Sequence, residues 1–349
     1  MRILIYTDVH FSQYSSIIRS RGRKYSTRLE NLINSINWAE QLAVLEKCNA
    51  IFCLGDFFDR ADLNAEETTA LTDVRWSGLS HVFLCGNHEL GRVENEFSTA
   101  SIFQLCPNTR VINSPQNYII EGETTELCFL PYVLNPDKSI KEYFPNKLNS
   151  SKRIVLSHND IKGINYGAYV SQSGFDISDI EEYANLFING HLHNGGAVTN
   201  KIINLGNLSG QNFSEDAFKY EHCVMTVDTE TLRIDYYANP FAFNFYKIDI
   251  NSTEECDKKL NKLRSNSVIT IKCPEDILIA VKEKLLNYSN KIVESRVIAD
   301  ATKKDSSILV ENKIEELTKL DHIKSFNEYI VNTLGANEII QEELSEICK

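Results

Sequence analysis

The chain has 349 residues, which is enough for one large domain and a smaller one. Its formal net charge of −12 argues against a broadly basic surface, so strong DNA affinity would need a local basic segment or a partner. No apolar stretch approaches the roughly 20 residues that span a bilayer. Because an apolar run predicted to be a strand begins at residue 3, no signal peptide is expected. The nine cysteines are dispersed and contain no Cys-x-x-Cys pair, which is typical of free thiols in a cytoplasmic protein.

Five short apolar runs predict buried strands, and a polar motif follows each of them. The runs cover residues 3–6, 51–54, 82–85, 154–156 and 186–188. In the same order, the motifs are Asp8-Val9-His10, Gly55-Asp56-Phe57-Phe58-Asp59-Arg60, Gly86-Asn87-His88-Glu89, His158 and Gly190-His191-Leu192-His193. Open α/β sheets bind ligands beyond the carboxyl ends of their strands, so all five motifs are expected to converge there.

The residue types in these motifs favour a pair of divalent cations. In extended backbone, residues two apart point to the same side, which would place Asp8 beside His10. The Asp56 carboxylate can bridge two cations with its two oxygens, whereas an imidazole or an amide cannot. Oxygen and nitrogen donors without a thiolate suit manganese, iron or zinc. Two such ions about 3.5–4 Å apart can clamp a phosphoryl group for in-line displacement.

Taken in this order, the motifs resemble the signature of the calcineurin-like metallophosphoesterase superfamily, which runs DxH, GDxxD, GNH[ED], H and GHxH. The resemblance implies an α/β fold, with a two-sheet sandwich flanked by helices, and two-metal hydrolysis of phosphoesters. It assigns one ion to Asp8, His10, Asp56 and His193. It assigns the other ion to Asp56, Asn87, His158 and His191.

Two motif residues are left for acid–base chemistry. In the family, the histidine at the position of His88 faces the scissile phosphate rather than a metal. Asp59, three residues after Asp56, is predicted to hold one imidazole nitrogen of His88 and so to fix the orientation of a general acid. The histidines outside the motifs are predicted to be structural, and they are His81, His222 and His322.

A basic stretch follows the first motif. It contains no acidic residue and carries Arg19, Arg21, Arg23, Lys24 and Arg28. Because of its position, the stretch is expected on the active-site side, where it could contact a phosphate backbone. A solvated surface loop explains the same residues equally well. The small-residue loop 206–209 likewise has two interpretations, since it could lie near the active site or be an ordinary turn.

The chain beyond the motifs predicts two further parts. Strands at residues 202–205, 223–227 and 232–236 would complete a first domain at residues 1–245. Residues 246–300 predict a small α+β cap that positions the substrate, with strands at 246–250, 268–273 and 292–299 and helices between them. Residues 301–349 predict two amphipathic helices. Their apolar faces are expected to bind a partner protein rather than the chain's own surface, and they carry Ile323, Phe326, Ile330, Leu334, Ile340 and Leu344.

Together these parts resemble the nuclease subunit of SbcCD-type DNA-end-processing complexes, in the short form found in tailed phages. The resemblance implies manganese-dependent exonuclease and endonuclease action on DNA in repair and recombination. It also implies a homodimer bound to two SbcC-type coiled-coil ATPase subunits. Two departures are that Glu89 stands where bacterial subunits usually carry Asp, and that Asn159 and Asp160 follow His158.

Two other functions are open at this point. The motifs around Asp56 and His88 also fit phosphomonoesterases of the Ser/Thr protein phosphatase kind. Against that function, Cys85 stands where those phosphatases place an arginine, and they lack this cap and this tail. A scaffold for an ATPase, without catalysis, is the third function, and the complete set of metal ligands argues against it.

Overall fold

The computed structural model describes residues 1–18, 20–91, 97–134, 136, 138–146, 148–164 and 170–300. Its strands, in chain order, are β1 (Arg2–Tyr6), β2 (Ala50–Cys53), β3 (Ser80–Leu84), β4 (Thr109–Ile112), β5 (Gln116–Ile119), β6 (Thr125–Leu130), β7 (Lys152–Ser157), β8 (Leu186–Asn189), β9 (Gly196–Ala197), β10 (Ile202–Asn204), β11 (Cys223–Asp228), β12 (Ile234–Ala238), β13 (Asn244–Asp249), β14 (Ser267–Cys273) and β15 (Ile292–Ala299). The α-helices are α1 (Thr27–Leu45), α2 (Ala65–Leu71), α3 (Ile177–Tyr183), α4 (Thr253–Leu260) and α5 (Leu278–Leu286). Short 3-10 helices occur at Thr99–Leu105, Ile140–Tyr143 and Glu275–Ile277.

Two six-stranded sheets form the first domain. The first sheet has the strand order β12-β11-β1-β2-β3-β4, and the second has the order β5-β6-β7-β8-β10-β9. β1 to β4 run parallel in the first sheet, as do β6, β7, β8 and β10 in the second, so the carboxyl ends of these strands share one edge in each sheet. This arrangement confirms the predicted two-sheet α/β sandwich. None of the described helices is long and apolar enough to cross a membrane.

The sheets pack face to face because successive side chains of each strand point to opposite sides. In β1, Ile3 and Ile5 share a core with residues of the second sheet such as Phe129. Leu4 and Tyr6 point the other way and pack in the core beneath α1. A corresponding core covers the outer face of the second sheet beneath α3. The domain therefore has four layers, with helices outside both sheets.

Helix α1 follows the first metal motif and the basic stretch. The Ser26 hydroxyl caps its start by accepting a hydrogen bond from the Leu29 N–H at 3.2 Å. Leu29, Leu32 and Ile36 are fully buried and recur at helical spacing, so one face of α1 is anchored on the first sheet. Because α1 is anchored, it fixes one end of the segment 11–26, which connects the first motif to the helix.

A third sheet forms the second part of the chain. β13, β14 and β15 are parallel, and α4 and α5 contribute to the apolar core of this part. The observed order of strands and helices is the predicted β-α-β-α-β unit. The boundary predicted between residues 245 and 246 falls inside β13, which begins at Asn244. Residues 301–349, including all the predicted partner-binding residues, lie outside the described residues.

We expect Phe129→Ala to lower the free energy of unfolding by about 3–5 kcal/mol, because it leaves a cavity between the two sheets. Phe129 is fully buried, and its ring centroid lies 5.6 Å from that of Phe52 across the sheet interface. Urea denaturation measures the effect. The control is Leu105→Ala, which should change stability by less than about 0.5 kcal/mol because Leu105 is 86% exposed. Equal effects of the two changes would contradict this packing.

Candidate metal centre

The carboxyl ends of five parallel strands bring the motif residues together. The structure places Asp8 and His10 after β1, Asp56 after β2, Asn87 and His88 after β3, His158 after β7, and His191 and His193 after β8. One group of ligand atoms within 4.8 Å of one another comes from Asp8, His10 and His193. A second group of the same size comes from Asp56, His158 and His191, and a third, from His10, Asp56 and His88, shares one residue with each of them. Asp56 stands between the first two groups, since its Oδ2 lies 3.1 Å from His158 Nε2 and 3.8 Å from His10 Nε2.

Unusual backbone at the motifs turns these side chains toward one another. Asp8, His10, Asp56 and His191 have φ values of 50°, 47°, 48° and 72°. This left-handed region is uncommon for residues with a side chain and costs of order 1–3 kcal/mol each. Asp8 and His10 were expected to share a side because their backbone is extended; instead, β1 ends at Tyr6 and both residues adopt this turn geometry. Hydrogen bonds from their N–H groups to the carbonyls of Gly55 and Asp56 hold the turn.

The motif glycines allow the strands to approach. A Cβ at Gly86 would lie 2.1 Å from Oδ1 of Asp56 and 2.5 Å from its backbone nitrogen. A Cβ at Gly55 would lie 2.4 Å from Nδ1 of His158, and its φ of 93° also favours glycine. Each glycine therefore makes room for a ligand contributed by a different strand.

The two buried carboxylates each have one oxygen bound by the protein. Asp8 Oδ2 accepts hydrogen bonds from the Thr7 hydroxyl at 2.6 Å and the His191 N–H at 2.9 Å. Asp56 Oδ1 accepts from the His88 N–H at 2.9 Å. Of the buried polar atoms that find no hydrogen-bond partner in the described part of the chain, four belong to the predicted ligands, namely Asp8 Oδ1, Asn87 Oδ1, His158 Nε2 and His191 Nδ1. Buried donors and acceptors are rarely left unpaired, so these atoms fit cation ligands.

Hydrogen bonds on the outer side of the histidines select the nitrogen that faces the centre. His10 Nδ1 contacts the Asp59 carboxylate at 3.2 Å, and His193 Nδ1 contacts the Glu215 carboxylate at 3.1 Å. His158 Nδ1 donates to the Leu54 carbonyl at 2.5 Å. In all three rings Nε2 is left for the interior, where His10 Nε2 and His193 Nε2 lie 3.1 Å apart. Such backing is typical of metal-binding histidines.

The sequence model of the family described as calcineurin-like phosphoesterase matches residues 1–195, more than half of the chain. The chain belongs to the calcineurin-like phosphoesterase family. Among solved structures, a dimetal phosphatase from Danio rerio is 12% identical with a TM-score of 0.43, and the match covers 68% of this chain and 95% of that one. A protein of Thermus thermophilus is 10% identical with a TM-score of 0.40, covering 68% of this chain and 98% of that one. No curated protein matches the chain in sequence.

Calcineurin-like phosphoesterases use two divalent metal ions, and this chain offers candidate groups for both. The donors are carboxylate and amide oxygens and imidazole nitrogens, which suit borderline divalent metals. Asp8, His10, Asp56 and His193 would hold one ion, and Asp56, Asn87, His158 and His191 would hold the other, as the motifs predict. The unpaired atoms of Asp8, Asn87, His158 and His191 support this assignment.

Charge in the centre is shared between carboxylates and imidazoles. Burial favours the neutral form of Asp8, but the neighbouring His158 and His10 outweigh it and lower the pKa of Asp8 to about 2. Burial likewise disfavours a charged His10 ring, yet Asp59 and Asp8 raise the pKa of His10 to about 10. Protons and divalent cations therefore compete for the same imidazole nitrogens, and cation binding releases protons.

His88 lies beside the metal ligands, and 42% of its side chain is exposed. Its Nδ1 donates a hydrogen bond to the backbone carbonyl of Asp59 at 2.9 Å. The Asp59 carboxylate lies 4.0 Å from that nitrogen, but only 3.2 Å from Nδ1 of His10. The predicted role of Asp59 therefore needs a correction. Its main chain orients His88, whereas its side chain holds His10.

Glu89 ties two motif loops together. Its fully buried carboxylate accepts hydrogen bonds from the N–H groups of Phe57, Phe58 and Gly86. Burial and the nearby Asp56 charge raise the pKa of Glu89 to about 7. Glu89 thus fixes the loop of Asn87 and His88 against the loop of Asp56.

The basic stretch is only partly available to a ligand. Arg28 is buried, and its guanidinium donates to the His10 carbonyl at 3.2 Å, so this arginine supports the metal loop and does not fit contact with a phosphate backbone. Arg21 and Lys24 are exposed but form ion pairs of 2.8 Å with Glu66 and 2.7 Å with Asp73. Arg23 is exposed and has no acidic partner among the described residues. Arg19 lies outside them.

Some residues that contact the predicted ligands lie outside the sequence motifs and could not be recognised from them. Thr7, whose hydroxyl binds Asp8, looks like an ordinary residue at a strand end, and Glu215 lies more than 20 residues after the last motif. The loop 206–209 does lie beside the centre, because the Asn207 N–H donates to the His193 carbonyl at 3.2 Å. His81 and His222 are buried and hydrogen-bonded away from the ligand groups, as expected of structural histidines.

We expect Gly86→Ala to abolish the binding of both metal ions, because the added methyl group would displace Asp56, which lies between the two ligand groups. The measurement is metal content of the purified protein by mass spectrometry, together with hydrolysis of an aryl phosphodiester. Gly196→Ala is the matched control, since a Cβ there meets no atom within 4 Å, and it should keep both ions. Two bound ions in Gly86→Ala would show that the close approach to Asp56 is not required.

Proposed function

We propose that this phosphoesterase is the nuclease subunit of an SbcCD-type DNA-end-processing complex and that it hydrolyses DNA phosphodiesters with two manganese ions. The observation that carries the proposal is the combination of a solvent-accessible His88 at the metal centre with a cap unit attached beside that centre. A polymer substrate needs an open approach to the scissile phosphate and a neighbouring surface to guide the strand. Both requirements have counterparts in this chain.

The exposure of His88 supports a bulky substrate. The ligand residues Asp8, His10, Asp56 and His158 are buried, whereas 42% of the His88 side chain remains accessible. His88 is also more exposed than His191 and His193, at 19% and 26%, so a phosphate at the centre can contact His88 while the rest of a long substrate stays in solvent.

The cap unit supports the same proposal. It follows the family domain in the chain, and the N–H of Ala217, two residues after Glu215, donates a hydrogen bond to the carbonyl of Phe245 in its first strand, β13. A surface attached so close to the metal centre is suited to positioning a strand that enters it. The unit carries no candidate metal group among its described residues, so a second active site there is not supported.

His88 is the proposed acid in the reaction. When bound, the two divalent ions would supply Lewis-acid stabilisation of charge on the phosphoryl group. The Asp59 carbonyl can only accept a hydrogen bond, so Nδ1 of His88 carries a proton and Nε2 is left to exchange a proton with the substrate. Protonated at Nε2, His88 can donate to the leaving oxygen. Asp59 holds the ring in the required orientation through its main chain.

DNA affinity of the isolated chain should be weak. The net charge is −12, and most of the predicted basic stretch is paired or buried. Among its described basic residues only Arg23 is exposed without an acidic partner. Much of the phosphate-binding surface is therefore proposed to come from the ATPase partner, which would make DNA cleavage depend on the complex.

The experiment that tests the function compares three substrates under manganese. A bis-aryl phosphodiester, an aryl phosphomonoester and a radiolabelled DNA duplex are incubated with the purified full-length chain, with and without an SbcC-type ATPase. A nuclease should prefer the diester over the monoester and cleave DNA ends when the ATPase is present. A preference for the monoester without DNA cleavage would favour a Ser/Thr-phosphatase-like activity instead. No metal-dependent hydrolysis of any substrate would favour a scaffold.

We expect His88→Ala to lower the turnover of a phosphodiester by about 10²- to 10⁴-fold, because it removes a general acid but no metal ligand. Metal analysis of the same preparation should still find two ions. Asp59→Asn is a useful comparison. Its backbone carbonyl remains available to His88, so this variant should be affected mainly through His10, with weaker metal binding. Loss of an ion in His88→Ala, or unchanged turnover, would contradict the assignment.

Removal of residues 305–349 should leave the metal centre intact but abolish stable association with the ATPase. The apolar faces predicted there are the proposed docking surface, and burial of such faces is the main favourable term in docking. The truncated chain should hydrolyse a bis-aryl phosphodiester at the rate of the full chain. Replacement of Phe326 and Ile330 by Asp tests the same faces without shortening the chain. Co-purification of either variant with the ATPase at full yield would rule out docking through these helices.

A further inference from the structure

A buried carboxylate outside the sequence motifs contacts one of the metal-ligand histidines. Glu215 is only 4% exposed and lies between β10 and β11. Its Oε1 is 3.1 Å from Nδ1 of His193 and accepts a hydrogen bond from the Asn207 amide at 3.0 Å. Its Oε2 accepts from the Gln211 N–H at 2.9 Å. Both carboxylate oxygens are therefore occupied as acceptors.

We propose that Glu215 is the positioning residue that fixes His193 as a metal ligand. A carboxylate at neutral pH can only accept, so its contact requires the proton of the neutral imidazole to lie on Nδ1. The lone pair is then on Nε2, which faces the interior beside Nε2 of His10 at 3.1 Å and Oδ1 of Asp8 at 4.0 Å. The role concerns the metal centre and is independent of which phosphoester is the substrate.

The orientation of the His193 ring depends on its hydrogen bond to Glu215 more than the orientations of His10 and His158 depend on their own hydrogen bonds. Its side chain is 26% exposed, whereas His10 and His158 are almost completely enclosed by protein. A ring at a partly open position has room to rotate, so a hydrogen bond to a fixed partner is needed to keep one nitrogen turned inward. Glu215 supplies that partner from a buried position.

The segment that carries Glu215 is itself fixed at both ends. The Gly210 N–H donates to the Phe243 carbonyl and the Ala217 N–H to the Phe245 carbonyl, both at 3.1 Å. Between them, the Phe213 ring packs edge to face on Phe245 with a centroid distance of 5.2 Å. The segment around Glu215 is thus held by Phe243, just before β13, and by Phe245 within that strand.

Another buried pair in the same chain provides a matched control. Glu40 contacts Nε2 of His81 at 3.0 Å, and both side chains are buried. This pair has the same chemistry as Glu215 and His193, but neither of its members belongs to a candidate metal group in the described part of the chain. A loss caused merely by disrupting a buried Glu–His hydrogen bond should therefore appear equally in Glu40→Gln.

The test is calorimetric titration of the metal-free full-length chain with manganese, without any substrate. Glu215→Gln keeps the volume but has a single acceptor oxygen, so its amide N–H₂ must face either the donor on His193 or the donor on Gln211. We expect one of the two binding events to weaken by about 10- to 100-fold, with the other unchanged. Glu215→Ala should lie at the upper end of that range. Glu40→Gln should keep both events, whatever its melting temperature.

Two results would overturn the proposal. The first is wild-type affinity for both manganese ions in Glu215→Gln. The second is an equal weakening of both events in Glu215→Gln that Glu40→Gln reproduces, which would make Glu215 an ordinary structural residue. If Glu215→Ala fails to fold, the Gln variant decides the question alone.

Discussion

The centre is built around two buried carboxylates, Asp8 and Asp56, whose negative charge the surrounding groups have to compensate. An ionised carboxylate inside a protein is costly unless positive charge or hydrogen bonds compensate for the lost water. Here one oxygen of each carboxylate is bound by a hydroxyl or by main-chain N–H groups, and imidazoles surround the other. The negative charge of the carboxylates can be balanced either by protons on the imidazoles or by divalent cations. Replacement of those protons by cations is the basis of a metal site.

The fold makes the array possible at a local cost. Ligands contributed by two different sheets have to meet within a few ångströms, which requires tight turns at the strand ends. Four of the turn residues therefore adopt left-handed backbone, and Gly55 and Gly86 lack the side chain that would collide with His158 and Asp56. Such strain persists only where the surroundings determine the conformation. The two packed sheets and the anchored helix α1 provide those surroundings.

Much of the fold and the convergence of the motif residues was predictable because both leave local signals in the sequence. Strand ends followed by Asp, Asn and His predicted which positions converge, and alternating strands and helices predicted the β-α-β-α-β unit. Contacts between distant residues left no such signal. The burial of Arg28, the pairing of Arg21 with Glu66 and the backing of His193 by Glu215 depend on which surfaces the fold brings together. Asp59 illustrates the limit best, since its position was right but the atom that contacts His88 was the carbonyl oxygen.

The contacts that residues 217–220 make with β13 and with Arg264 affect how this protein can exchange parts with its relatives. A chimera joined between residues 245 and 246 would cut β13 in two. The ring contact of Phe218 with Tyr246 and the hydrogen bond from Arg264 to the Tyr220 carbonyl would then have to form between sequences that never folded together. A junction that carries residues 206–300 as one block keeps those contacts within a single parent. Recombination that preserves these contacts should therefore move residues 246–300 together with the loop that adjoins His193.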